Sequence, residues 1–172
     1  MIEVLITDEM CVSAQRHAEN IGKRPNSIRK GEGNYVGCLG QEMFLKHYGG
    51  QYLGTHDFDV LLDGIRFEIK TKETSVKPKP YYMCSVCDAN TKQDADYYVF
   101  CRAISSKNIG WILGAYPKKK YFCEAQFCKK DDHDPDNDFY VKADCWNMQI
   151  KTLISIDRIL GITDTSQMRL GI

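Results

Sequence analysis

The stretch HDFDVLLDGIRFEIKTK, residues 56–72, constrains the fold more than any other part of the chain. Asp63-Gly64 is the dipeptide favoured at the centre of a type I′ hairpin turn, where both residues take positive φ. With those two as the loop, the register of the flanking strands is fixed. Leu62 faces Ile65, Val60 faces Phe67 and Asp59 faces Glu68; further out, Phe58 faces Ile69 and Asp57 faces Lys70. Side chains alternate faces along a strand, so Phe58, Val60, Leu62, Ile65, Phe67 and Ile69 share an apolar side. The other side carries Asp57, Asp59, Glu68 and Lys70.

Directly opposed residues hold their Cβ atoms about 4.5–5.5 Å apart, which sets Asp59 and Glu68 carboxylate to carboxylate. Like charges so placed oppose hairpin formation, and a divalent cation with hard oxygen ligands removes the conflict. The plain alternative is a half-buried hairpin with a solvated charged face. A solvated face pairs Lys with Glu more naturally than Asp with Glu. Here the row also continues as Glu68-x-Lys70 beside the acidic pair, which favours a site.

A length of 172 residues suits a single domain spanning the chain, with a good core. Lys+Arg and Asp+Glu are both 23, so no global basic field announces nucleic acid and any such binding must use a local patch. No apolar run is long enough to span a membrane, and the opening MIEVLIT lacks the basic start of a signal peptide. The expectation is a soluble, cytoplasmic protein without a membrane partner; the sequence leaves its oligomeric state open, a homodimer included. Its 8 cysteines are many for a cytosolic chain yet fall below the share of a secreted disulfide scaffold.

In chain order, a short apolar segment (2–6) leads to Thr7-Asp8 as a cap and a helix over 8–20, with Met10, Ala14, Ala18 and Ile21 inward. Gly22 ends it, and a basic loop follows over 23–33, carrying Lys23, Arg24, Arg29 and Lys30. A second helix is predicted over 34–48, with Gly37 and Gly40 giving it a bare side where another backbone can approach. Gly49-Gly50 stops it, and 51–54 can form a first strand. Further strands are predicted over 81–86, 96–104, 109–116, 139–143 and 148–154, with a helix opening near Pro117. The fold class is α/β: a central mixed β-sheet flanked by helices.

The order helix, strand, hairpin with an Asp, then Glu-x-Lys, then later strands resembles the PD-(D/E)xK nuclease superfamily. More narrowly, NSIRKGEGNYVGCLGQEMF followed by DFDVLLDGIRFEIKTK resembles small endonuclease-like proteins, many of them from phages. The specific match covers residues 25–72. The resemblance implies a restriction-endonuclease-like core and hydrolysis of DNA phosphodiesters. It implies Asp59 and Glu68 as ligands of Mg²⁺ or Mn²⁺, with Lys70 positioning or helping to deprotonate the attacking water. The carbonyl of Ile69 is a further ligand in that scheme. Such families often place an acid just after a Gly in the preceding helix; here Gly40 is followed by Gln41, and the acid is Glu42. One residue turns the direction around a helix by about 100°, so one of the two faces the metal, and Glu42 is the expected ligand. Phe58 stands where the Pro of the family name would.

Other patterns compete. Cys84-x2-Cys87, Cys123-x4-Cys128 and His133 have spacings that zinc can use, although Cys84, Cys101 and Cys123 lie in apolar stretches that suit buried thiols. The acidic loop over 131–138 reads as solvated or cation-binding. Lys118-Lys119-Lys120 and Lys129-Lys130, beside Tyr121 and Phe122, offer a DNA contact or simply a charged helix start. Gln93 lies where the superfamily sometimes places a polar helper. Three functions therefore follow: a metal-dependent nuclease, a catalytically inactive module on the same fold, or a zinc-stapled interaction protein.

Overall fold

The computed structural model describes residues 1–21, 33–134 and 139–162. Strand β1 (Ile2–Leu5) runs into helix α1 (Asp8–Ile21), whose first turn is capped by the Thr7 hydroxyl accepting the Met10 N–H at 3.3 Å. Helix α2 (Asn34–Tyr48) ends at Gly49, where φ is +78°, and leads through β2 (Gln51–Tyr52) to the hairpin of β3 (Val60–Leu62) and β4 (Ile65–Glu73). Asp63 and Gly64 have φ of +50° and +78°, as a type I′ turn requires, and the pairs Leu62–Ile65 and Val60–Phe67 form as expected. The chain continues through β5 (Met83–Cys87), β6 (Tyr97–Ile104), β7 (Ile109–Pro117), α3 (Lys118–Glu124), β8 (Gln126–Cys128), β9 (His133–Asp134), β10 (Phe139–Tyr140), β11 (Cys145–Gln149) and α4 (Ile156–Ile159). The basic loop predicted over 23–33 lies outside the described residues except for Gly33, as do Gly22 and residues 135–138 of the acidic loop.

Six strands make one curled mixed sheet in the order β1-β7-β6-β4-β3-β2. Only β4 and β6 are parallel neighbours; the other adjacent pairs are antiparallel. The alternation along β6 sends residues to two separate cores. Val99, Cys101 and Ala103 face α1 and α2, joining Met10, Ala14, Leu39, Met43, Phe44, Phe67 and Ile112. Tyr98, Phe100 and Ile104 face the other way, onto Cys84, Val86, Trp111, Leu113, Tyr121 and Met148. That second core is roofed by a three-stranded antiparallel sheet, β5-β11-β8. The molecule is thus layered as helices, main sheet and small sheet.

Two sequence expectations change here. The last strand begins at Cys145, not 148, because the chain must leave the small sheet after Gln149 to reach the main one. A 3-10 turn over Ile150–Thr152 makes that crossing, and Ile154 then exchanges two 2.8 Å main-chain hydrogen bonds with Ala115. The bare side of α2 is Gly40 alone: a Cβ there would overlap the Thr71 side chain, whereas Gly37 faces open space. Among the described residues no helix is long and apolar enough to cross a membrane.

Candidate active site

The hairpin holds its predicted register only as far as Val60. Residues 55–58 then close into a turn around Thr55, whose hydroxyl donates to the Phe58 carbonyl at 2.9 Å and accepts the Phe58 N–H at 3.1 Å. The expected pairs Phe58–Ile69 and Asp57–Lys70 therefore do not form, and Asp57 is exposed. Asp59 takes over the ladder instead. Its N–H donates to the Phe67 carbonyl at 3.0 Å, and its Oδ2 accepts the Ile69 N–H at 2.8 Å, where a strand carbonyl would otherwise stand. This turns the Asp59 carboxyl inward, 7 % exposed, beside Glu68 at 6 %. Val60, Phe67 and Ile69 lie on the buried opposite face as predicted, while Phe58 is only half-buried.

The charged row is covered rather than solvated. Glu68 Oε1 accepts from Lys70 Nζ at 2.8 Å and from Gln93 Nε2 at 2.5 Å, while Gln93 Oε1 accepts from Lys70 Nζ at 2.8 Å. Glu68, Lys70 and Gln93 thus form a closed ring of hydrogen bonds. The Lys70 ammonium also lies 5.6 Å from the centre of the Tyr98 ring, a cation–π distance. Tyr98 is missing from the sequence reading because it reaches this place through the β4–β6 pairing of Glu68 with Tyr98, a parallel register that no local turn specifies.

Gln41, not Glu42, is the helix residue at this cluster. Gln41 Nε2 donates to Asp59 Oδ1 at 2.7 Å. Glu42 points about a quarter-turn away, toward α1. There it accepts from the Ser13 hydroxyl at 2.7 Å and lies 3.3 Å from His17 Nδ1. The expected role of Glu42 as a metal ligand is corrected on this ground: the Gly40–Thr71 contact sets the rotation of α2, and that rotation aims the amide inward.

Electrostatically the site is unbalanced. Burial, and next the neighbouring charge of Glu68, push the Asp59 carboxyl well above the ordinary carboxylate range; the Ile69 N–H and Lys70 oppose this only in part. Among the described residues, Glu68 Oε2 and Gln41 Oε1 are buried and find no hydrogen-bond partner. Buried acceptors are seldom left unpaired, because each forfeits its hydration. Two carboxylates and an amide oxygen are hard donors of the kind Mg²⁺ and Mn²⁺ take, and Mg²⁺ ordinarily uses one or two carboxylates and keeps several waters. The donor set fits such an ion. Among the described residues no group of three His, Cys, Asp or Glu side chains is arranged to hold a metal.

The zinc spacing does not assemble. Cys84 faces the second core and Cys87 the opposite face of the same strand, while Cys123 is exposed on α3, donating its S–H to the Lys119 carbonyl at 3.4 Å. Tyr121 and Phe122 pack in or against the second core, so they are not offered to bases; Tyr121 donates its hydroxyl between the Cys84 and Trp146 carbonyls. Lys119, Lys120, Lys129 and Lys130 are exposed, and Lys118 reaches the Gln93 carbonyl at the margin of the site. In comparisons with known proteins, no family model, no curated protein and no solved structure matches this chain.

Proposed function

We propose that the chain is a metal-dependent nuclease of restriction-endonuclease-like core, hydrolysing DNA phosphodiester bonds. One observation carries the reading: among the described residues, two buried carboxylates, Asp59 and Glu68, share a site with the Lys70 ammonium and with acceptor oxygens that find no partner. Asp59, Glu68 and the Gln41 amide oxygen would hold Mg²⁺ or Mn²⁺. Such an ion, when bound, lowers the pKa of a coordinated water and offsets charge on the scissile phosphate. Lys70 adds a positive charge beside those acids and orients the attacking water. Gln93 fixes the Lys70 ammonium from one side and Glu68 from the other, so the lysine needs little reorganisation when substrate arrives. Lys118, Lys119 and Lys120 extend positive charge from the margin of the site toward a phosphate backbone.

A second reading has its own support. Gln41 stands where resembled families keep an acid, which favours a non-catalytic module that retains the fold. The two separate on a panel of linear, nicked, branched and single-stranded DNA, plus RNA, assayed with Mg²⁺ and with Mn²⁺. The nuclease cleaves DNA with either metal and not in EDTA, and Ca²⁺ binds without supporting turnover. Asp59→Asn and Glu68→Gln each lose both cleavage and calorimetric Mn²⁺ binding. Cleavage nowhere on the panel, together with Mn²⁺ binding unchanged in Asp59→Asn, leaves the non-catalytic module.

A further inference from the structure

The outer face of the small sheet carries a row of three cysteines that sequence spacing conceals. Cys145 on β11 stands directly opposite Cys87 on β5 and, on its other side, directly opposite Cys128 on β8. Opposed residues share a face, so all three thiols point away from the second core, into which Cys84, Val86 and Met148 project. All three are half-buried free cysteines.

The ladder geometry says how close they stand. Along β5 and β11 the Asp88 N–H donates to the Asp144 carbonyl, and the Ile150 N–H to the Tyr82 carbonyl, each at 2.9 Å. Hydrogen-bonded pairs alternate with close, non-hydrogen-bonded pairs in an antiparallel ladder, so Cys87–Cys145 is a close pair, Cα atoms about 4.5 Å apart. A residue's N–H and C=O point to the same side of its strand. Cys145 therefore makes the wider pair with Cys128, Cα atoms about 5.5 Å apart. Both spacings lie in the range of about 4.4–6.8 Å that disulfides span.

A polar support completes the row. Asn147 Nδ2 lies 3.2 Å from Cys128 Sγ and 3.5 Å from Cys145 Sγ, so one amide faces two sulfurs. Ser85 donates its hydroxyl to Asn147 Oδ1, which fixes the amide with its N–H groups toward the thiols. The amide thus sits between the two sulfurs that exchange requires, and the thiolate is the form that reacts with disulfides. Burial raises the Cys145 thiol, and the Asn147 amide opposes that rise; Cys84 and Cys101 are sealed in the two cores, where burial pushes both thiols up and closes them to reagents.

We propose that Cys87 and Cys145 are a reversible dithiol–disulfide pair, with Cys128 as a third thiol placed to exchange into it. The oxidant is a low-molecular-weight disulfide, RSSR. The thiolate of one cysteine attacks an RSSR sulfur, forming a mixed disulfide and releasing one RS⁻. The second thiolate then attacks the protein sulfur of that bond, closing the Cys87–Cys145 bridge and expelling the second RS⁻. Two electrons pass from the cysteine sulfurs to RSSR, and the two thiol protons end on two RSH. Cys128 attack on Cys145 shifts the bridge and frees Cys87 without net redox change.

The test equilibrates the folded chain in a series of reduced and oxidised glutathione, quenches with acid, alkylates, and maps peptides by mass spectrometry. The parent yields a Cys87–Cys145 linked peptide that disappears at the reducing end. Cys87→Ser moves the link to Cys128–Cys145, and Cys145→Ser yields no link within the row while Cys123 is labelled as in the parent. Retention of all three thiols at the most oxidising ratio overturns the proposal, as does a native bridge that omits Cys145. A link formed only after unfolding in denaturant overturns it equally. Should Cys145→Ser fail to fold by circular dichroism, the parent and Cys87→Ser maps decide alone.

Discussion

Two charge clusters stand two residues apart on the same strand and have the same inventory, two carboxylates and one cation. Arg66 on β4 binds Asp96 through its main-chain N–H at 2.9 Å, its Nε at 3.0 Å and one terminal nitrogen at 2.8 Å, with Asp94 on the other. The fork geometry of guanidinium satisfies both acids, solvent screens what remains, and Asp96 is held below the ordinary carboxylate range by the Arg66 hydrogen bonds. Lys70 faces Glu68 and Asp59 with a single ammonium, in a covered setting, and here Asp59 is raised and an oxygen of Glu68 stays unpaired. Charge count alone does not tell a satisfied cluster from an unbalanced one; solvation and the donor's shape do.

The sharpest way to break this comparison is to remove each cation's partner role in turn. Lys70→Met lowers DNA turnover by about 10²–10³-fold while Mn²⁺ binding persists, since the methionine keeps the stem and removes only the charge at the phosphate. Single-turnover cleavage against calorimetric metal titration reads the split; turnover like the parent's makes Lys70 a strand residue and no more.

Gln41→Glu tests whether the amide is a ligand position. A third carboxylate tightens Mn²⁺ binding by roughly tenfold and lowers metal-free stability, because it joins two buried acids already in conflict. Equal Mn²⁺ affinity in parent and variant removes Gln41 from the ligand set.

Asp59→Asn addresses the imbalance itself. Asp59 is pushed up to about 8, so between about pH 4 and 8 the folded chain holds a proton that the unfolded chain releases. Metal-free stability consequently falls as pH rises across that window. The asparagine flattens this fall and raises the melting midpoint near neutral pH, at about 2–4 °C for each kcal/mol. It keeps its contacts by accepting the Ile69 N–H while donating to Gln41 Oε1 after an amide flip. A steeper fall in the variant contradicts the account.

The smallest effect belongs to the satisfied cluster. Asp96→Asn lowers the melting midpoint slightly near neutral pH and leaves cleavage unchanged. Its parent carboxyl is depressed, so its contribution is present above the unfolded value and fades as pH falls through the folded one. The difference between parent and variant therefore closes in acid, as a melting series down the pH scale shows.

What the sequence made legible follows how local each cause is. Asp63-Gly64 is a two-residue signal, and it delivered the pairs Val60–Phe67 and Leu62–Ile65 and hence the shared site of Asp59 and Glu68. The Thr55 turn that pulls Asp57 and Phe58 off the ladder is also local, but the alternation of polar and apolar residues masked it. The choice of Gln41 over Glu42 depends on a contact between Gly40 and Thr71, 31 positions away in sequence, and periodicity on α2 alone cannot set it. The β5-β11-β8 sheet was least visible, since its strands are separated by long intervals and its register brings together cysteines that no spacing rule groups.

The parallel pairing of β4 with β6 has a consequence for the growing chain. The crossover between them holds no α-helix; it carries β5 and a 3-10 turn over Asp88–Asn90, and the ladder partner of β5, β11, ends at Gln149. Gln93, which aims the Lys70 ammonium, stands on that crossover just after β5. During synthesis the acids and the lysine emerge first, yet the strand that anchors the crossover arrives some eighty residues later, seconds afterwards at about 5–20 residues per second. The ribosome thus releases an aligned centre only after β11 has emerged, and a chain truncated before residue 145 carries the acids without a fixed lysine.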